Sequence, residues 1–261
     1  MPSVETAAVV PGGNTEVVAP AEEELRAIAE RHGVRLVDGE APADIAIALG
    51  GDGTMLRALT RFRGTDVPVL GVNFGRVGFL TAIAPAEMEA GLARVFAGDY
   101  AVIRLPTLEV EVGGETHVAV NDAVITSGTI GRIVELSYAL AHEDLGQQRC
   151  DGLVCATPQG STAYNLSNGG PVLVWGLDAM VMTFVAPHSL HVRPLVVARG
   201  PDLRVTNSSP DVPTMVIVDG HEVGSLDPRE HAVVRIGARD CLLATLPDVT
   251  FFTRYAAAFG R

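Results

Sequence analysis

The segment ADIAIALGGDGT, residues 43–54, constrains this chain more than any other. Ile45, Ile47 and Leu49 alternate with alanines small enough to pack beneath helices, the pattern of a strand buried on both faces of a parallel sheet. Gly50, Gly51, Asp52, Gly53 and Thr54 fall at its carboxyl end and lead into a helix predicted from about Met55 to Phe62, where open α/β sheets bind ligands. The glycines permit positive φ and close approach of a ligand, and Thr54 is expected to cap the helix, leaving its first amides for a phosphate. Asp52 stands out, because a carboxylate beside a phosphate costs Coulomb repulsion. It serves a metal, takes a proton from an attacking hydroxyl, or merely accepts backbone N–H bonds in a tight turn.

Composition narrows the chemistry. All 19 basic side chains are arginine, which excludes the lysine of a Walker-A loop, of a protein-kinase strand or of a Schiff base. Bound phosphate must then be held by amides, arginine, hydroxyls or a metal. A formal charge of −12 argues against a basic face for nucleic acid. Cys150, Cys155 and Cys241 form neither an even disulfide set nor a C-x-x-C knuckle, which suits a reduced, cytoplasmic setting. There is no signal-peptide pattern and no apolar run of ~18 residues, so no membrane partner is expected.

Around the glycine-rich segment strands and helices alternate. Strands are predicted at 4–10, 34–37 and 67–73, and helices at 21–32, stopped by Gly33, and at 85–98. This predicts a doubly wound, Rossmann-like α/β domain over residues 1–98. Beyond it the texture is all-β. LEVEV, Gly113-Gly114 and THVAV make a hairpin, and strand-like runs recur to residue 236, giving a sandwich-like domain over 99–246. Residues 247–261, with aromatics and alanines at helical spacing, are expected to return to the first domain as a helix. Two polar clusters interrupt the β region. Asn121-Asp122 breaks an apolar strand, and TPQGSTAYNLSNGGP follows another, offering either a nucleotide site or a polar surface loop.

The ordered set GGDGT, GVNFGRVGFLT (71–81), NDAVI (121–125), DGLVCATPQGSTAYNLSNGGPV (151–172), PHSLHVRPLVV (187–197) and VDGH (218–221) resembles the NAD kinase family from about residue 40 to 255. GGDGT alone is shared with lipid kinases and phosphofructokinases; the TPxGSTAYxLSxGGP block is specific. The resemblance implies phosphorylation of the 2′-hydroxyl of the adenosine ribose of NAD by ATP or another donor, with Mg²⁺ or Mn²⁺, giving NADP. It also implies a homo-oligomer, dimer or tetramer, formed through the β-rich domain. Asp52 becomes the base, Gly53 lines the dinucleotide site, and Gly50, Gly51, Gly53 and Thr54 form the donor loop. Asn121 and Asp122 reach a ribose hydroxyl, with Asp122 one methylene shorter than the glutamate common there. Asp151 contacts the nicotinamide end. Thr162, Ala163, Tyr164, Asn165, Leu166 and Ser167 line the adenine and nicotinamide pockets, with Tyr164 stacking. Ala186 packs on the ligand, and His221 stands where glutamine or asparagine is common. Arg57, Arg132 and Arg149 hold anionic groups, Arg57 being equally readable as a solvated charge. Gln159, Asn165 and Asn168 depart from the usual wording, and Asn165 and Asn168 are expected to alter polarity near the pocket.

Overall fold

The structure is a computed structural model that describes residues 1–13, 15–38, 42–75 and 78–260. Arg76 and Val77 of the GVNFGRVGFLT segment lie outside the described residues. The chain begins with β1 (Thr6–Pro11), α1 (Thr15–Arg31), β2 (Arg35–Val37), β3 (Ile45–Gly50), α2 (Asp52–Phe62), β4 (Val69–Asn73), α3 (Met88–Phe96) and β5 (Ala101–Leu105). Strands β2, β1, β3 and β4 pair in parallel in that order. Every residue of β3 is buried, as its alanine-spaced pattern requires. Leu25 and Ile28 of α1, Met55 and Leu59 of α2, and Met88 and Leu92 of α3 pack with it as fully buried side chains.

Helix α1 starts six residues before the expected position and contains Pro20. Its buried stripe runs Val18, Ala21, Leu25, Ile28, so packing carries the helix through a proline that lacks one backbone donor. Gly33, at φ 69°, ends it as predicted.

The second compact unit, Pro106–Asp240, is built from β6 (Leu108–Val112), β7 (Glu115–Ala119), β8 (Asp122–Ser127), β9 (Val134–Leu140), β10 (Glu143–Cys150), β11 (Gly152–Ala156), the short α4 (Tyr164–Ser167), β12 (Ala179–Val185), β13 (Leu195–Ala198), β14 (Leu203–Asn207), β15 (Thr214–Val218), β16 (His221–Leu226) and β17 (His231–Ile236). They form two antiparallel six-stranded sheets, β10-β9-β14-β17-β6-β7 and β13-β12-β11-β8-β15-β16. Residues from both, among them Leu108, Val110, Ile125, Leu136, Leu153 and Val234, share one core, the sandwich arrangement. Burial pushes the Cys150 and Cys155 thiols up to about 12; both act as small hydrophobes. On the other face of the second sheet, Val124, Val154, Ala156 and Val181 are covered by Leu173. That contact seats the polar 157–172 segment.

The chain then returns to the first unit. β18 (Cys241–Thr245) inserts between β4 and β5, parallel to the former and antiparallel to the latter, and α5 (Phe251–Phe259) follows. The finished sheet reads β2-β1-β3-β4-β18-β5. Thr250 and Thr253 cap α5 reciprocally. The first unit therefore comprises Met1–Leu105 and the chain from Cys241 onward. These bounds lie beyond the expected 98 and ahead of the expected 247 because β5 and β18, two short apolar runs, carry no mark of the sheet they join.

Candidate active site

In the first unit, α2 begins at Asp52 itself. Its N-cap is Gly51, with no side-chain cap. This corrects the expectation for Thr54, which is buried inside the first turn. A Cβ on Gly50 would overlap the Thr54 hydroxyl, so the strand end must be glycine for the helix to start there. The Thr54 and Met55 amides donate to the Gly51 carbonyl (2.9 and 3.1 Å). The amides of Asp52 and Gly53 precede that first helical bond and lie at the positive end of the helix dipole.

The Asp52 carboxylate accepts N–H bonds from Phe79 and Leu80, each at 3.2 Å. A Cβ on Gly78 would overlap Asp52 Oδ1; glycine is what lets the loop close on it. The turn thus has backbone donors on the carboxylate, one of the roles the sequence left open, and the half-buried oxygens retain lone pairs for a proton. Arg57 is exposed and donates to the Pro11 carbonyl (3.1 Å).

In the second unit, the corner before β8 is organised by Asp219, a residue the sequence reading passed over. Its carboxylate accepts from three successive amides, Val120 (2.7 Å), Asn121 (2.8 Å) and Asp122 (3.1 Å). Asp219 adopts φ 46°, the left-handed region that aspartate tolerates in turns. The VDGH motif was the available sign: an aspartate between a strand end and a glycine. The Thr157 hydroxyl and Gln159 Nε2 both bond the Val120 carbonyl (2.7 and 2.6 Å). A Cβ on Gly160 would overlap the Asn121 carbonyl.

The corner presents two acceptors. Asn121 Oδ1 is buried with no hydrogen-bond partner among the described residues. Asp122 is buried, and desolvation, then the nearby Asp219 charge, raises its pKa to about 6. Burial also raises Asp219 against the pull of its three amides. His221 is exposed, its Nδ1 3.1 Å from the Asp219 carbonyl. In the segment above, Thr162, Ala163 and Leu166 are half-buried and Ser167 is exposed, while the Tyr164 ring is 44% exposed. Asn165 faces inward. Its amide donates to the Ser161 and Pro171 carbonyls and accepts from Thr183. Gln159 is likewise buried, and Asn168 binds the Tyr164 carbonyl (2.7 Å). These three departures tie the segment together.

The remaining candidates gather elsewhere. Asp151 precedes β11, whereas residues 157–167 follow it, so the two groups sit roughly 17 Å apart at opposite ends of one strand. Beside Asp151, whose amide bonds the Val185 carbonyl (3.0 Å), Ala186 takes φ 44°, a strained conformation of the kind stored at ligand sites. Arg132 and Arg149 line one cavity of about 500 Å³, where Arg132 pairs with Asp211 at 3.1 Å.

A carboxylate fixed in a glycine-rich turn at a helix N-terminus is an arrangement suited to phosphoryl transfer. Residues 14–100 match the ATP-NAD kinase N-terminal domain and residues 120–246 the ATP-NAD kinase C-terminal domain. The NAD kinase of Gemmatimonas aurantiaca is 39% identical over 92% of this chain and 84% of its own, and that of Tolumonas auensis 37% over 88% and 80%. The fold is shared with an NAD kinase from Archaeoglobus fulgidus solved in complex with ATP (TM-score 0.79, 24% identity, 98% of this chain and 97% of that one). It is shared too with yeast NADH kinase complexed with NADH (TM-score 0.81, 21% identity, 98% and 87%). The chain belongs to the NAD kinase family.

The raised Asp122 pKa carries a pH signature. Its folded value, about 6, exceeds its ordinary 3.8, so ionisation opposes folding. Stability contributed by the neutral form is lost as pH rises from about 4 to 6, then levels. Asp122→Asn is expected to flatten that part of the pH–stability curve in denaturant titrations; an unchanged slope would show that Asp122 titrates normally.

Proposed function

We propose that this chain phosphorylates the 2′-hydroxyl of the adenosine ribose of NAD, with ATP as donor, giving NADP. The observation that carries the reading is the corner at 120–122. Asn121 Oδ1, buried with no hydrogen-bond partner among the described residues, and the buried carboxylate of Asp122 are acceptors suited to the donor hydroxyls of a ribose. Tyr164, with its ring exposed, supplies a face on which a base stacks. Asn165 contributes through the segment's shape, since its side chain is engaged internally.

Asp52 is the base. It takes the proton of the 2′-hydroxyl as that oxygen bonds to the γ-phosphorus, the bond from phosphorus to the bridging oxygen breaks, and ADP leaves. Positioning and charge neutralisation dominate such a transfer. The amides of Asp52 and Gly53 at the α2 N-terminus face the donor phosphates, a role no lysine is present to fill. Among the described residues no three His, Cys, Asp or Glu side chains converge on a cation site. Mg²⁺ is commonly held by substrate phosphates and one or two carboxylates, and we take it, or Mn²⁺, to arrive on the nucleotide as part of the substrate.

The 17 Å between Asp151 and the 157–167 segment supports a homo-oligomer. A nicotinamide seated on residues 162–167 of one copy meets Asp151, Ala186 and Arg149 from a second. We assign the protein to the cytoplasm on its free thiols; among the described residues no helix is long and apolar enough to cross a membrane.

Purified protein given NAD, ATP and Mg²⁺ is expected to yield NADP, read with an NADP-specific dehydrogenase; NAD binding without NADP would make it a silent binder instead. Asp52→Asn should retain NAD binding and lose about two orders of magnitude in turnover, and unchanged turnover would remove Asp52 from its role. Excess chelator should abolish turnover, so persistent activity would overturn the metal requirement. Mixing inactive Asp122→Ala and Asp151→Ala proteins should restore roughly a quarter of native turnover if two copies share each site. No recovery after subunit exchange would place each site within one chain.

A further inference from the structure

We propose that the C-terminal helix α5 is the positioning element for Asp52, with Arg254 and Phe79 as its positioning residues. The proposal rests on the reading of Asp52 as the base. Both amides that hold the Asp52 carboxylate belong to the irregular 78–80 stretch, so something outside that loop must fix it. Phe79 shows what does. Its ring stacks on Phe259 (centroids 5.7 Å apart, 29° between planes) and lies against Phe251 (6.4 Å, 39°). Tyr255 contacts both of those rings, at 6.2 and 5.0 Å. Residues 251, 255 and 259 recur every fourth position and share one helix face. The helix therefore offers an aromatic ladder, and the residue that grips it is the one whose amide holds Asp52. Such ring pairs attract one another beyond their burial and bias a short loop toward one geometry.

Arg254 comes from the same helix. It lines a cavity of about 270 Å³ together with Asn73, Gly78, Phe79 and Ile83, and the Asp52 charge acts on its guanidinium. Burial draws its pKa down to about 10, with Asp52 opposing; it stays cationic at neutral pH. The other charged groups on the elements around it are committed elsewhere. Arg57 of α2 binds the Pro11 carbonyl, Arg61 lies over the Phe62 ring, and Asp248, ahead of α5, pairs with Arg94. In a chain without lysine, a cation beside the loop that holds the base comes from α5. It helps fix that loop while the two amides set the direction of Asp52.

The test is a double-mutant cycle on the full-length enzyme. Arg254→Gln is expected to lower kcat about tenfold while KM for NAD stays within about twofold, because the lost interaction acts on the base and not on substrate binding. Arg254→Lys should restore most of the lost kcat, because the charge returns to the same place. In the Asp52→Asn background Arg254→Gln should make no further difference, since the group it acts through is gone. Phe259→Ala, near the exposed end of α5, is a second variant should Arg254→Gln fail to fold. It should lower kcat about threefold with KM for NAD unchanged, and also add nothing to Asp52→Asn. Equal losses in both backgrounds would show that Arg254 acts on substrate directly, and native kcat in Arg254→Gln and Phe259→Ala would leave α5 a structural element only. Native turnover in Asp52→Asn would instead remove the base itself, and the proposal with it.

Discussion

Three consecutive backbone donors converge on one carboxylate at Asp219, and the geometry of the β-rich unit's polar corner depends on it. Amides at 120, 121 and 122 cannot all point one way in a regular strand, where successive N–H groups alternate. Their capture ends β7's run and sets the turn into β8, which Asp122 opens opposite Ala156. Thr157 and Gln159 then close on the Val120 carbonyl. The corner is fastened from two sides by groups far away in sequence. A second buried carboxylate follows from this arrangement, and its raised pKa is the electrostatic cost of keeping an acceptor ready out of water.

Much of the architecture was legible in the sequence because it rested on patterns with single solutions. The alanine-spaced β3 and its glycine-rich exit admit only a buried parallel strand and a helix start, and the β hairpins announce their turns. What stayed hidden had no local sign. Thr54 looks like a cap by residue preference, but burial against Gly50 decides its place. β5 and β18 are apolar runs whose sheet is set by partners, not by composition.

The site divides in the same way. Motifs mark Asp52, Asn121 and Asp122 by residue type. The inward turn of Gln159 and Asn165 has no sign in residue type, since polar residues in a deeply buried loop are consumed by the backbone groups that loop must satisfy. Asp219 was present in a motif but had no visible partner. Arg254 lay in a helix read only for its apolar spacing.

The late return of the chain has a consequence for how it is made. β18 fills the gap between β4 and β5, and it is translated only after the whole β-rich unit. Until then the nascent chain carries β4, a hydrophobic strand with one hydrogen-bonding edge open, beside a β-rich unit that already has all its strands. Unpaired edges of this kind are where newly made chains stick to one another. A ribosome that stops short of residue 241 therefore releases a species whose danger is aggregation, with one compact half presented on an adhesive other half.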